Sequence, residues 1–248
     1  MATATALKFD NLNVLNSKVV KKSEIDKPLA IPYREYFGEM YITPEQMRSR
    51  IELAEEIEDV MFYLFAYWII AEEAEMSIEE LKRDTVDKLT YVIAKRTTLD
   101  PYLEKHINDV VNEVVDVTEK HRKQKEQEDS DEESDVEELL DEDSKETSKE
   151  PDYWTSKDRA ILISENEANA FDNYIEYKEA KARGKTKKTW VTEGDDKVRI
   201  SHWLEAEKTI DIDGLFLVGD SYMRFPKDAE YDPNPREVVN CRCICEYK

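Results

Sequence analysis

The chain has few glycines and few cations for its size, and each shortage excludes a class of protein. Five glycines among 248 residues leave no Gly-rich loop that could cradle a phosphate, so a nucleotide-binding site is not expected. Lys and Arg number 36, against 58 Asp and Glu. Because phosphate binding depends on cations that displace counterions, the chain as a whole is not expected to coat nucleic acid.

No apolar run is long enough for a membrane span. The longest covers residues 60–71 and stops at Glu72, whereas a bilayer crossing needs about twenty apolar residues. We therefore predict a buried helix at this position and no membrane partner. No charged and apolar leader opens the sequence, so a cleaved secretory signal is not expected.

Cysteine is absent from most of the chain. All three cysteines lie at positions 241, 243 and 245. An odd number at such close spacing cannot staple distant parts of a fold, and this usage is typical of a reducing compartment.

Negative charge is concentrated in one segment. Residues 126–150 hold fourteen acids and two lysines, a net charge of −12 out of −22 for the whole chain. Such a segment has too little apolar surface to offset the entropy of ordering it. We predict that residues 124–151 form an acidic flexible linker, extended by self-repulsion, between two folded units.

Before this linker the sequence predicts a helical unit. Residues 1–42 show little periodicity and are predicted to be an N-terminal arm that becomes ordered only against a partner or the following helices. Residues 43–123 are predicted to form a helical domain, because N-cap signals at Thr43, Ser77 and Asp100 each precede apolar residues at steps of three or four.

After the linker, the period of the pattern changes from helix to strand. A long helix is predicted from an N-cap at Thr155 to a C-terminal glycine at Gly184. Short strands are predicted at 189–192, 209–212, 216–218 and 238–245. Residues 152–248 therefore read as a long helix packed on a small, mostly antiparallel sheet, which makes the fold class α+β.

The cysteines and one histidine form a candidate metal site. His202, Cys241 and Cys243 could hold one ion, and thiolate plus imidazole favours Zn²⁺, with water or a carboxylate such as Asp196 as the fourth ligand. In a regular strand Cys245 would lie roughly 13 Å from Cys241, which argues against a site with three cysteines. The alternative is that the cysteines are small core residues and the histidine is structural.

A second candidate site lies around the same histidine. Asp196, Arg199 and His202 follow a three-residue rhythm, and a helical turn would align them for the acid-base chemistry of a nuclease. The alternative is an ion-paired turn that fixes the loop to the sheet. The spacing favours the structural role, because no second acid-base partner is evident.

One basic cluster could contact DNA. Its cations lie near aromatic residues, a combination that can grip nucleic acid; they are Lys178, Lys181, Arg183, Lys185, Lys187 and Lys188, beside Tyr174, Tyr177 and Trp190. A solvated helix end is the commoner reason for such a cluster.

The C-terminal unit also carries an ordered series of motifs. Glu167 with Asn169 and then Trp190 come first, and the segments that follow are Asp196-Lys197-Val198-Arg199-Ile200-Ser201-His202, Phe216-Leu217-Val218-Gly219, Phe225-Pro226-Lys227-Asp228 and Asn240-Cys241-Arg242-Cys243. In this order they resemble the C-terminal domain of the Mu protein F-like family, the minor head or head-morphogenesis proteins of tailed bacteriophages. The resemblance covers about a third of the chain.

The sequence departs from the family pattern at two points. Where the family usually has Asp-Gly shortly after the histidine, this chain has Glu205-Ala206-Glu207. The segment before Asn240 is also richer in polar and proline residues than usual. Both departures predict altered loops close to the candidate site.

The resemblance implies a virion structural component rather than an enzyme. Its expected partners are the portal and capsid proteins of the same phage, and its expected location is the head interior or portal vertex, after assembly in the host cytoplasm. Some relatives of this domain are linked to toxin or nuclease modules, so an enzyme that uses His202, Arg199 and Asp196 remains the alternative.

Overall fold

The computed structural model describes residues 32–69, 76–136 and 152–248, and over these residues the fold is α+β, as predicted. The helices are α1 (Pro32–Gly38), α2 (Pro44–Ile69), α3 (Ile78–Ala94), α4 (Pro101–Val136), α5 (Lys157–Ala182), α6 (Ile200–Trp203) and α7 (Pro235–Val238), with a 3₁₀ turn at Tyr153–Thr155. The strands are β1 (Lys187–Val191), β2 (Thr209–Asp211), β3 (Phe216–Val218), β4 (Ser221–Met223) and β5 (Ile244–Tyr247).

The predicted helix caps hold in the first half of the chain. Ser77 and Glu80 form a reciprocal capping box at the start of α3. Thr43 and Gln46 exchange the same pair of hydrogen bonds at the start of α2. Each cap satisfies amide groups that the first helical turn leaves without intrahelical acceptors, so these starts are encoded locally.

The start of α5 differs from the prediction by one residue. Ser156, not Thr155, caps the helix by accepting a hydrogen bond from the Arg159 amide. Thr155 instead ends the 3₁₀ turn, whose own cap is Asp152. At the other end Gly184 has a φ of +74°, the left-handed conformation predicted for a glycine just after a helix.

The core runs through both halves of the chain. Helix α2 packs along α5, and buried side chains of the two halves belong to one hydrophobic cluster. The described part of the apolar run, residues 60–69, lies in α2, as predicted, and Val60, Met61, Leu64, Phe65 and Trp68 are buried. Among the described residues, no helix combines the length and hydropathy that a bilayer crossing requires.

The predicted arm and linker lie only partly within the described residues. Residues 32–38 of the arm form α1, which buries Tyr33 and Phe37 in the core. Helix α4 continues through Val136 and so enters the segment predicted to be a flexible linker from residue 124. Residues 1–31 and 137–151 lie outside the described part of the chain.

The strands form a three-stranded antiparallel sheet and a separate hairpin. Strand β1 lies in the centre of the order β2-β1-β5, and β3 pairs with β4, a strand that the sequence did not predict. Trp190 in β1 is opposite Cys245 in β5. Both side chains are buried, so the sheet presents this pair to the core.

The final strand is shorter than predicted. Residues 238–245 were expected to be one strand, but α7 ends at Val238, Asn240 has a φ of +55°, and β5 begins only at Ile244. A left-handed residue interrupts an extended segment, so Cys241 and Cys243 lie in a loop before the strand. The prediction of one strand through all three cysteines is therefore wrong.

Candidate metal centre

The loop that carries Cys241 and Cys243 comes next to His202 of the short helix α6. One ligand atom of each residue lies within 4.8 Å of the other two, which forms a buried group that could hold a metal ion. His202 Nδ1 is 3.3 Å from Cys243 Sγ and 3.6 Å from Cys241 Sγ. The three predicted ligands are therefore together, although Cys241 and Cys243 lie in a loop and not in the predicted strand.

Cys245 lies apart from this group. It is in β5, and it lines a different cleft of about 740 Å³ between β5, the end of α5 and the segment that precedes α2. The sequence prediction left Cys245 out of the site on the assumption of a regular strand. The assumption was wrong, yet Cys245 stays outside the metal-binding group.

A carboxylate orients the imidazole of His202 through Nε2, the ring nitrogen that does not contact the thiols. His202 Nε2 lies 3.0 Å from Glu237 Oε2, and the Ser201 hydroxyl donates to the same oxygen at 2.7 Å. A proton held between Nε2 and Glu237 leaves Nδ1 free to face the two thiols, the arrangement that commonly fixes metal-bound histidines. Glu237 was not predicted, because nothing in its local sequence marks it.

The turn of the β3–β4 hairpin lies against this carboxylate. Gly219 has a φ of +62°, and a β-carbon there would lie 2.7 Å from Glu237 Oε1. A side chain at this position would thus strain the backbone and displace the group that orients His202. The Phe-x-x-Gly motif therefore has a structural role beside the site.

The indole of Trp190 packs against the imidazole of His202. Its ring centroid is 5.7 Å from that of the imidazole, in an edge-to-face arrangement. Trp190 is fully buried, so it restricts the imidazole to one position.

A row of asparagines on α5 holds the cysteine loop. Asn169 Nδ2 donates to the Cys241 carbonyl at 2.9 Å, and Asn173 Nδ2 donates to the Cys243 carbonyl at 3.3 Å. Asn166 exchanges hydrogen bonds with Asn240, the residue of positive φ. These contacts replace the sheet hydrogen bonds that the loop lacks.

Arg50 of α2 holds the same asparagines from their other side. Its guanidinium donates to Asn169 Oδ1 at 3.1 Å, to Asn173 Oδ1 at 3.3 Å and to Glu176 Oε1 at 2.9 Å. Arg50 is fully buried, so one cation of the N-terminal half orients the amides that position the cysteine loop. The i, i+3 and i+7 spacing of the asparagines was the available sequence signal, because it places them along one helical face.

The thiols and the imidazole share protons in the absence of a metal. A hydrogen bond from Cys243 lowers the pKa of Cys241 well below its usual value, and His202 adds to this effect. The hydrogen bond to Cys241, together with burial, raises the pKa of Cys243. Burial lowers the pKa of His202, but Cys241 and Glu237 outweigh this effect, so the net shift is upward. The group therefore resembles a thiolate beside an imidazolium, and a metal ion would replace the shared protons.

The other residues of the proposed nuclease site do not join this group. Asp196 is exposed in the loop before α6 and is not one of the clustered ligand atoms. Arg199 lines the cavity beside His202, and its guanidinium donates to the Val239 carbonyl. The expected single helical turn from 196 to 202 is absent, because α6 begins only at Ile200.

Most cations of the basic cluster have partners within the chain. Lys178 pairs with Asp100, Lys181 with Asp213, Arg183 with Glu179 and Lys187 with Asp211, and Lys188 is buried against the Gly214 carbonyl. Tyr174, Tyr177 and Trp190 are buried and so cannot stack on bases from solvent. DNA contact through this cluster stays a prediction.

Glu207 lies in the turn after α6, in the Glu205-Ala206-Glu207 segment that stands where the family pattern has Asp-Gly. It has a φ of +64°, and its amide donates to the Trp190 carbonyl at 2.9 Å. Glycine adopts this left-handed conformation without strain, whereas in this chain a glutamate adopts it. The turn connects α6 to β2 and thereby keeps His202 against β1.

Removal of the charge on Glu237 tests the role of this carboxylate. We expect Glu237→Gln to weaken the binding of a metal ion such as Zn²⁺ by about 10- to 100-fold, because the ring proton at Nε2 would lose its anionic acceptor. Competition titration of the full chain against a chromophoric chelator measures this change. Glu246→Gln, at an exposed position on β5, is the matched control and should bind as tightly as the parent chain. Equal affinities for all three proteins would show that Glu237 does not orient the ligand.

Comparisons with protein-family models, curated proteins and solved structures give no match to this chain.

Proposed function

We propose that the chain is a minor head protein of a tailed bacteriophage, associated with the portal and acting in procapsid assembly and in genome packaging or delivery. The observation that carries this proposal is the convergence of the scattered family motifs on one buried His–Cys₂ group. That group is proposed to bind one Zn²⁺, which stabilises the C-terminal unit.

The convergence joins motifs that are distant in the sequence. Asn169 bonds the loop of Cys241, Trp190 packs on His202, and Gly219 lies against the carboxylate that contacts His202. These residues span positions 169 to 241, and a chance series of short motifs has no reason to meet at one point. The shared location supports the likeness to the Mu protein F-like family.

The donor set and its spacing support zinc as the metal. With Zn–S of about 2.3 Å and Zn–N of about 2.0–2.1 Å at tetrahedral angles, nitrogen and sulfur ligands are separated by about 3.6 Å. The two nitrogen–sulfur separations at His202 are 3.3 and 3.6 Å. The separation from Cys241 already matches this value and that from Cys243 is slightly shorter, so binding needs only a small outward shift of Cys243 Sγ.

The seclusion of the site supports a structural role in preference to catalysis. His202 is 1%, Cys241 2% and Cys243 4% exposed, and the cavity that they line has a volume of about 10 Å³. This volume suits one water-sized particle, not a substrate. Both ring nitrogens of His202 also have partners, so the imidazole is not free to act as a base toward DNA or RNA.

Fractionation of phage particles tests the head assignment. We expect the chain to co-sediment with portal-containing procapsids and mature heads, because its partners are proposed to be portal and capsid proteins. Mass spectrometry of gradient fractions from infected cells measures this distribution. A tail protein of the same phage, assembled separately, is the control for nonspecific trapping.

Recovery of the chain only outside portal-containing particles would contradict the proposal. The competing enzyme is tested on the same preparation by incubation with DNA and RNA. Nuclease turnover that disappears in His202→Ala would favour the enzyme. Equal and negligible turnover in both proteins is the expected result.

A further inference from the structure

The His–Cys₂ group supplies three donors, and a closed zinc site has four. The cavity between the donors has room for about one ion, so a water ligand would compete with the metal for the same volume. The fourth donor must therefore come from the wall of the cavity. The rest of the wall consists of cationic side chains, one valine, Asn240 and Glu193.

Glu193 is the wall residue with a free donor atom. Its Oε1 is buried and has no hydrogen-bond partner, whereas the Asn240 side-chain oxygen already accepts from Asn166. A buried carboxylate oxygen without a partner loses its hydration and gains nothing in return, so such atoms are uncommon in stable folds. A bound cation would remove this cost.

We propose that Glu193 is the fourth ligand of the zinc site, which makes the site Cys₂–His–Glu. This inference rests on the metal centre proposed above and adds the residue that closes it. Glu193 is not among the three donors that lie within 4.8 Å of one another, so its side chain must rotate toward the cavity on binding. Oε1 makes no hydrogen bond that the rotation would break, whereas the interaction of the carboxylate with the Tyr41 backbone amide would have to adjust.

The charges around the site fit an anionic ligand set. Two thiolates, one carboxylate and a neutral imidazole around Zn²⁺ carry a net charge of −1. Lys227 is buried close enough to interact electrostatically with Cys241, and Arg199 and Arg242 line the cavity. These cations offset the excess negative charge, which a site with a neutral water ligand would not have.

Arg242 connects the site to the segment before α2. Arg242, between the two cysteines, pairs with Asp195 at 2.7 Å and with Glu39 at 3.0 Å. Burial raises the pKa of Glu193 to about 7, and Arg242 opposes this rise. Asp195 and Glu39 therefore pair with Arg242 and do not line the cavity, whereas Glu193 is the carboxylate that does.

Cobalt substitution of the full chain tests this assignment. Co²⁺ reports its ligands through visible ligand-field bands and through sulfur-to-metal charge transfer. We expect the parent chain to give the intense bands of a four-coordinate site. Glu193→Gln should weaken zinc binding by about 10- to 100-fold and shift these bands. Glu193→Cys should restore affinity and increase the charge-transfer intensity, because it adds a third thiolate.

Asp196→Asn is the competing variant, because Asp196 is the carboxylate that the sequence pattern suggested. It should leave both affinity and spectrum unchanged. The assignment of Glu193 would be overturned if Asp196→Asn lost zinc affinity, or if both Glu193 variants gave the cobalt spectrum of the parent chain. Either result would leave the metal centre intact. A parent chain that binds neither Zn²⁺ nor Co²⁺ would overturn the metal centre itself, so the two failures are distinguishable.

Discussion

Replacement of His202 by alanine should abolish the stabilisation of the chain by zinc. A ligand at 1,000 times its Kd stabilises the folded state by about 4 kcal/mol. For a chain of this size, that free energy corresponds to a rise in Tm on the order of 10 °C. Thermal unfolding with zinc and with chelator should show this difference in the parent chain and no difference in His202→Ala.

The chain supplies matched controls for this experiment. His121 stacks on Trp154 far from the site in sequence, so His121→Ala should retain the zinc-dependent rise in Tm. Cys245→Ser should also retain it, whereas Cys241→Ser and Cys243→Ser should lose it, because only the latter two thiols face His202. An equal response of all three serine variants would contradict the site.

The dependence of zinc binding on pH follows from the same groups. In the metal-free chain, the pKa of His202 lies above its ordinary value, chiefly because the interaction with Cys241 outweighs burial. A proton therefore competes with zinc at the imidazole up to a higher pH than it would at a free histidine. Zinc affinity should fall as the pH drops through this pKa and rise as the pH increases.

Replacement of Arg50 by methionine should be the most destabilising change outside the site. Its guanidinium is fully buried and contacts Asn169, Asn173 and Glu176. Methionine fills similar volume but leaves the two asparagine oxygens without this donor, while Glu176 Oε1 still accepts from Gln46. Loss of one partner from a buried ionic network costs about 3–5 kcal/mol. Chemical denaturation of the metal-free chain measures this loss.

Loss of the Arg50 cation should also change the pKa of the nearby acid Asp172. Burial raises the pKa of Asp172 to about 6, and Arg50 opposes this rise. Without the cation, Asp172 would retain its proton to a higher pH. Arg48→Met, at an exposed position of the same helix, is the control and should change the free energy of unfolding by less than about 0.5 kcal/mol.

Arg50→Met should also weaken zinc binding, because the asparagines that hold the cysteine loop would lose their anchor. An unfolding free energy within about 1 kcal/mol of the parent value would mean that the Arg50 network contributes little to the fold. Unchanged zinc affinity in a folded Arg50→Met chain would mean that the asparagines position the loop without Arg50.

The sequence predicted the elements whose signals are local. Capping pairs at Thr43 and Ser77 and the glycine after α5 depend on a few neighbouring residues, and the structure has them where predicted. The α+β class and the strand at 216–218 were likewise predicted correctly. Period and capping chemistry are properties of short segments, so they can be read without tertiary information.

The parts that were not predicted depend on contacts between distant segments. The cysteine loop leaves the strand pattern because Asn240 adopts a left-handed backbone, bonded to Asn166 of α5. Arg50 and Glu237 act through residues more than thirty positions away, so no local pattern marks them. The sequence pointed to His202, Cys241 and Cys243 because histidine and cysteine are rare in this chain, with three residues of each.

The metal content of the full chain, purified under reducing conditions without added chelator, tests the central claim most directly. Elemental analysis should find one zinc per chain in the parent protein. It should also find one in Cys245→Ser and almost none in Cys243→Ser. A zinc content near zero in the parent protein, in preparations that remain folded, would contradict the metal centre.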